Sequence, residues 1–193
     1  MLVKEIMKVP GELFSLALEE ISSINWASQV NTSSSLVPSN IYGLCKSIHL
    51  RGVIGAKQAK TCTDLLNLIP CKDNALTIDN FKNCHALGKW VEKTVGGLYS
   101  GNWVIRQLPP HAEISLHTDL GEYFDHYSRF HIPMITNNCV SFYGEHDSPV
   151  ETMNLQTLYK INNRLPHRVS NTDDTPRIHF VLDVYIEVGN IIC

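Results

Sequence analysis

The feature that most constrains the fold of this sequence is a run of alternating residues near its end. Ile178, Phe180, Leu182, Val184 and Ile186 share one parity, and Arg177, His179, Val181, Asp183 and Tyr185 share the other. A period of two is the mark of a pleated strand, whose successive side chains point to opposite faces. An arginine in so apolar a strand is expensive to bury unless a fixed anion pairs with it. Its planar fork suits a carboxylate held through two hydrogen bonds. Asp173 or Asp174, close by in sequence, could serve as that partner if the strand lies at an edge.

This run closes a series. From Asn102 onward the sequence alternates short apolar stretches with polar turns, and strands are predicted over 103–108, 112–116, 129–135, 140–143, 157–161, 168–170 and 177–187. The first hundred residues read mainly as helix. Pro10 suits a helix start, with Leu13, Phe14, Leu16, Leu18 and Ile21 forming an apolar face. A loop is predicted over 33–40, a short helix over 63–68, and a longer helix over 79–95, capped by Asp79 and ended by Gly96-Gly97. Helices followed by evenly spaced short strands predict an α+β chain, in which a β-sandwich or jelly roll (101–188) is buttressed by N-terminal helices (1–100). A length of 193 residues fits one domain.

Composition narrows the function classes. With 44% hydrophobic and 18% charged residues the chain is an ordinary globular one, large enough to fold without a metal or disulfide staple. Any metal is therefore expected to be functional. A net charge of −3, with no run of Lys or Arg, lends no support to a nucleic-acid partner. Six cysteines include no C-x-x-C pair, and the N-terminus lacks the pattern of a signal peptide. No apolar run is long enough to span a bilayer. The expectation is a soluble protein of a reducing cytoplasm.

The candidate chemistry lies in five places. His117-Thr118-Asp119 ends an extended stretch, so an imidazole and a carboxylate two residues apart can face one point. His167 follows in the segment Asn162-Asn163-Arg164-Leu165-Pro166-His167. Two histidines and one carboxylate on one face of a metal leave three positions open, the facial triad of non-haem Fe(II) oxygenases. An isolated H-x-D is weak, and a histidine hydrogen-bonded to its neighbouring aspartate is the blander reading. Arg177 strengthens the case, because a dicarboxylate chelating the metal at one end would offer its other carboxylate there. On the strand 129–135, Arg129 and His131 again share a face. The turn Pro109-Pro110-His111 leads into the strand that carries His117.

Four blocks together resemble the aspartyl/asparaginyl β-hydroxylase family of 2-oxoglutarate oxygenases, which also contains free-proline cis-hydroxylases. They are P-x-x-x-I-x-x-H-T-D at 110–119, R-F-H-I-P at 129–133, N-N-R-x-P-H-R-V-x-N at 162–171 and R-I-H-F-V-L-D at 177–183. The resemblance spans 103–185 and implies a double-stranded β-helix, a cupin-like jelly roll. It implies Fe(II) held by His117, Asp119 and His167, with 2-oxoglutarate contacted by Arg177, Arg129 and His131. Arg106, on the preceding strand, is a further contact to co-substrate or equally to substrate. The implied reaction consumes O2 and 2-oxoglutarate, releases succinate and CO2, and hydroxylates an unactivated C–H bond.

The substrate expected is an amino acid or a residue of a peptide or protein, of Asp, Asn or Pro type. Free-proline hydroxylases of the family carry a C-terminal extension. The end of this sequence at Cys193 is therefore read as favouring an open site for a peptide, or a lid from another chain. The aromatic loop 120–128, with Tyr123, Phe124, His126 and Tyr127, is a candidate lid, although such loops often simply pack. Two other readings stand beside the hydroxylase: a small-molecule or natural-product tailoring oxygenase on the same iron, and a non-catalytic cupin-like metal-binding module. Retention of Asp119, Arg129 and Arg177 speaks against the last.

Overall fold

Strands rich in β-branched and aromatic residues form where their two faces find different partners. The computed structural model describes residues 1–28, 44–53, 75–77, 81–119, 122–137, 140–144 and 149–186. The expected loop at 33–40 and short helix at 63–68 lie outside them, as does Asp79. The strands described are β1 (Val3–Lys8), β2 (Lys46–Val53), β3 (Ala75–Thr77), β4 (Tyr99–Leu108), β5 (Ala112–His117) and β6 (Tyr127–Ile135). They continue with β7 (Val140–Tyr143), β8 (Pro149–Glu151), β9 (Thr157–Ile161), β10 (His167–Asn171) and β11 (Arg177–Tyr185). The α-helices are α1 (Gly11–Ser22), α2 (Lys82–Thr94) and the short α3 (Glu122–His126).

Two antiparallel sheets result, one ordered β1-β9-β6-β11-β4-β2-β3 and the other β5-β10-β7-β8. This is the expected α+β double-stranded β-helix with helices packed on one side. β11 lies between β6 and β4 in the larger sheet and is buried on both faces. Ile178, Phe180, Leu182 and Val184 join Phe14, Ala17 and Ile21 of α1 and Cys84, Leu87 and Val91 of α2 in one core. Phe130, Ile132 and Met134 of β6 join the same core, which leaves Arg129 and His131 on the opposite parity. A second core, including Leu108, Ala112, Ile114, Ile161 and Val169, draws on both sheets. The helices thus cover one face of the large sheet, and its other face looks toward the small sheet.

The N-terminal part departs from the helical expectation, because β1, β2 and β3 all precede residue 100. β1 extends the large sheet at its edge against β9 and β2 pairs with β4, both through partners distant in sequence. Only Val3 of β1 is buried, so an alternating apolar signal has nothing to repeat.

The start of α2 also differs from expectation. The helix begins at Lys82, and no side chain at its N-cap, Phe81, closes it. Glu20 of α1 does so instead, accepting hydrogen bonds from the backbone N–H groups of Asn83 and Cys84 at 2.9 Å each. A carboxylate there satisfies orphan donors and meets the positive end of the helix dipole, a contribution of about 1 kcal/mol. At the other end Gly96 adopts φ 66°, and Gly97 N–H reaches back to Glu92 C=O at 2.8 Å. This is the glycine stop expected from the sequence.

Candidate metal centre

The register of the small sheet sets the two histidines side by side. β5 and β10 are antiparallel neighbours in which His117 and His167 are direct Cα partners. Their rings lie 4.3 Å apart between centroids. Each imidazole is oriented by its own chain, with His117 Nδ1 bonded to Ser115 C=O at 2.7 Å and His167 Nδ1 to Leu165 C=O at 2.8 Å. A carbonyl only accepts, so both Nδ1 atoms carry protons and both Nε2 atoms keep a lone pair for a metal.

Asp119 arrives by a different route from the one expected. The strand ends at His117, and Asp119 lies just beyond it, where its N–H donates to Asn163 C=O at 2.9 Å. Asp119 Oδ1 stands 3.7 Å from His117 Nε2. Donor atoms on adjacent corners of one ion, each at about 2.1 Å, lie about 3 Å apart, so ligation would draw this pair slightly closer. Donor atoms of His117, Asp119 and His167 all fall within 4.8 Å of one another. The site is shielded, with Asp119 and His167 buried. A half-enclosed set of two imidazoles and one carboxylate fits a divalent transition metal.

The protonation states suit ligation. Burial pushes the Asp119 carboxyl up, but Arg129, the hydrogen bond from Asn163 and the two histidines together hold it below the usual carboxylate value. Burial is also the main reason that His167 is pulled below the ordinary imidazole value, which favours its neutral form.

The larger sheet faces this trio with cations. His117, His167, Arg106, Arg129, His131 and Arg177 line one cavity. Ile114, Ile161, Val169 and Val181 form its apolar wall. Arg177 is 2% exposed, and among the described residues it has no carboxylate partner. Asp174 is taken by His111 at 2.8 Å, and Asp173 accepts from Thr175 N–H at 3.0 Å, so neither serves Arg177. Arg177 Nη2 donates to His179 Nδ1 at 2.7 Å, and its Nε has no hydrogen-bond partner. Burial lowers its pKa to about 9. Such a group is an anion site in want of an anion.

Arg129 and His131 line the cavity as expected, but Arg129 is not an open cation. Its Nε and Nη2 grip Asp183 at 2.8 and 3.0 Å, and its Nη1 donates to Asp119 Oδ2 at 2.5 Å. Sequence reasoning missed Asp183 and Asn163, whose side-chain amide donates to Asp119 Oδ2 at 3.0 Å. Arg129 and Asp183 are direct partners across β6 and β11, and the equal alternation of the two strands was the available hint. The candidate lid is also corrected. Tyr123 and Tyr127 are buried and stacked on each other at 4.6 Å, while His126 is exposed. Gly101 leaves room for this stack, since a Cβ there would meet Tyr123 Oη at 2.4 Å. The aromatics of α3 pack; residues 120 and 121 lie outside the described ones.

His131 Nδ1 lies 3.3 Å from His179 Nδ1, and burial pulls both rings well below the ordinary imidazole value. For His179 the sign follows directly. Its folded-state value is depressed, so its contribution to stability is full above the unfolded value, near 6.5, and is lost as pH falls below it. Urea unfolding should therefore show lower stability at pH 5 than at pH 7, with a smaller loss in His179→Gln. Equal acid sensitivity in the two proteins would contradict a neutral, buried His179.

Comparison with known proteins identifies the family and the fold. The profile of the family described as "Aspartyl/Asparaginyl beta-hydroxylase" matches residues 71–186. No curated protein sequence gives a significant match. Among solved structures, a prolyl hydroxylase from Trichoplax adhaerens, determined with a hypoxia-inducible-factor degradation-domain peptide, is similar with TM-score 0.62 at 11% identity. The match covers 95% of this chain and 83% of that one. A Pseudomonas putida prolyl-4-hydroxylase gives TM-score 0.59 at 7% identity, over 95% of this chain and 91% of that one. AviO1 from Streptomyces viridochromogenes gives 0.56 at 11% identity, over 97% and 90%. At such identities the likeness establishes a shared fold. Among the described residues no helix is long and apolar enough to cross a membrane.

Proposed function

This chain belongs to the aspartyl/asparaginyl β-hydroxylase family, and from that premise we propose that it is an Fe(II)- and 2-oxoglutarate-dependent oxygenase hydroxylating an unactivated C–H bond of an amino acid or of a peptide or protein residue. The observation that carries the reading is the buried Arg177, which lines the same cavity as His117 and His167 and lacks an anionic partner among the described residues. An iron ion, when bound, supplies the activation of O2 and the oxidation of the C–H bond, chemistry that side chains alone do not perform.

The chain's own residues do the rest. His117 and His167 would hold the ion through Nε2 and Asp119 through Oδ1, a ligand set that leaves room for co-substrate and O2. Arg177 holds the distal carboxylate of 2-oxoglutarate, whose negative charge offsets the cost of burying a guanidinium. The apolar wall formed by Ile114, Ile161, Val169 and Val181 suits the methylene carbons between the two acid groups and keeps bulk water away. Arg106 lines the cavity and is assigned to co-substrate or substrate, and His131 stands beside Arg177 through His179. A peptide or protein substrate is favoured over a free amino acid by a neighbour of the same fold that was determined with a peptide fragment.

The test is succinate release under air with Fe(II) and 2-oxoglutarate, with free amino acids and short peptides containing Asp, Asn or Pro added in turn. Stimulation by a peptide supports the reading. Succinate release stimulated by neither peptides nor amino acids would turn it toward a small-molecule tailoring oxygenase, and no succinate at all would overturn it.

A further inference from the structure

The metal carboxylate is held from behind by a buried ionic chain that ends on a backbone amide. Asp119 Oδ2 accepts from Arg129 Nη1 and from Asn163 Nδ2, which leaves Oδ1 as the oxygen turned toward the histidines. Arg129 could reach this position in several rotamers, and a flexible arginine beside a metal ligand would compete with the ion for the carboxylate. What fixes it is Asp183, 1% exposed and directly opposite on β11, gripping the guanidinium through two hydrogen bonds. Asp183 is fixed in turn by Tyr123 Oη, which donates to Asp183 Oδ2 at 3.0 Å and accepts the Asn102 N–H at 3.0 Å. A buried carboxylate so far from water is retained only where its partners are complete.

We infer that Asp183 is a positioning residue of the metal centre, which locks Arg129 in place so that Asp119 offers a single oxygen to the ion. With Oδ2 tied by two donors, Asp119 cannot close on the metal through both oxygens, and the positions needed by co-substrate and O2 stay open. Asp183 touches neither metal nor substrate; it acts through Arg129. The inference rests on the oxygenase reading only in requiring a metal at His117, Asp119 and His167.

The experiment uses the full chain and Co(II), a redox-stable stand-in for Fe(II), titrated alone and followed by its visible absorption, with thermal unfolding measured in parallel. Asp183→Asn should weaken Co(II) binding by about 10- to 100-fold, the usual loss when a group supporting a metal ligand is removed. The double variant Arg129→Gln/Asp183→Asn, which removes both charges of that pair, separates positioning from stability. It should regain thermal stability relative to Arg129→Gln, whose Asp183 is left unpaired, but regain no Co(II) affinity. A merely structural role predicts that stability and affinity recover together, and that result overturns the inference. Should Asp183→Asn fail to fold, Tyr123→Phe loosens Asp183 without burying a new charge and should cost several-fold in Co(II) affinity; unchanged affinity overturns the inference. Co(II) affinity unaltered in a folded Asp183→Asn overturns it while leaving the oxygenase reading intact. No Co(II) binding by the unaltered chain overturns both.

Discussion

Alanine at His167 is expected to abolish metal binding and turnover while leaving a folded protein. His167 would supply one of two imidazole donors, since its Nδ1 is already committed to Leu165 C=O and its Nε2 is left for a metal. Removing a direct ligand should exceed the roughly 10- to 100-fold losses seen when supporting groups are removed. Metal affinity should therefore fall by more than about 100-fold. Stability should change far less, because His167 sits at the cavity wall and not in either apolar core. Metal content after dialysis, measured beside the thermal midpoint, checks both halves. Retention of the metal by His167→Ala would place the ion elsewhere.

The second large effect is expected at Arg177, and it has a different signature. Arg177→Ala should leave the metal bound but raise the 2-oxoglutarate KM by about two to four orders of magnitude. The size follows from the roughly 3–5 kcal/mol lost when one partner of a buried charge pair is removed, at tenfold for every 1.4 kcal/mol. Its guanidinium is hydrogen-bonded to His179 and to none of the three ligand residues. The split between metal affinity and co-substrate KM distinguishes an anion anchor from a structural arginine, which would disturb both. An unchanged KM would refute the anchor.

Much of this was legible in the sequence because it is local. The alternation over β11 reports a strand with two differently buried faces, and glycine at Gly96 reports a helix end. The trio was legible as residue types in a motif, but its joining depends on the register that pairs His117 with His167 across β5 and β10. What could not be read is who stands opposite whom. Arg129 was placed on the correct face, yet its partner Asp183 belongs to another strand, and so Arg129 read as an open cation when its fork is already occupied. Glu20 closing α2 is likewise a contact between distant segments. β1 and β2 were missed because their pairing energy comes from β9 and β4 and not from their own apolar pattern. Tyr123 and Tyr127 resembled a lid from their composition, and only Gly101, which leaves space beneath them, explains why they pack inward.

The central claim is that one cavity holds a metal at one end and the distal carboxylate of 2-oxoglutarate at Arg177. Anaerobic addition of Fe(II) and 2-oxoglutarate to the full chain tests it most directly, since a visible metal-to-co-substrate charge-transfer band requires both to be bound to the same centre. The expected band appears only with both present, is lost in His167→Ala, and in Arg177→Ala returns only at much higher 2-oxoglutarate. No band in the unaltered chain, or a band indifferent to Arg177, would contradict it.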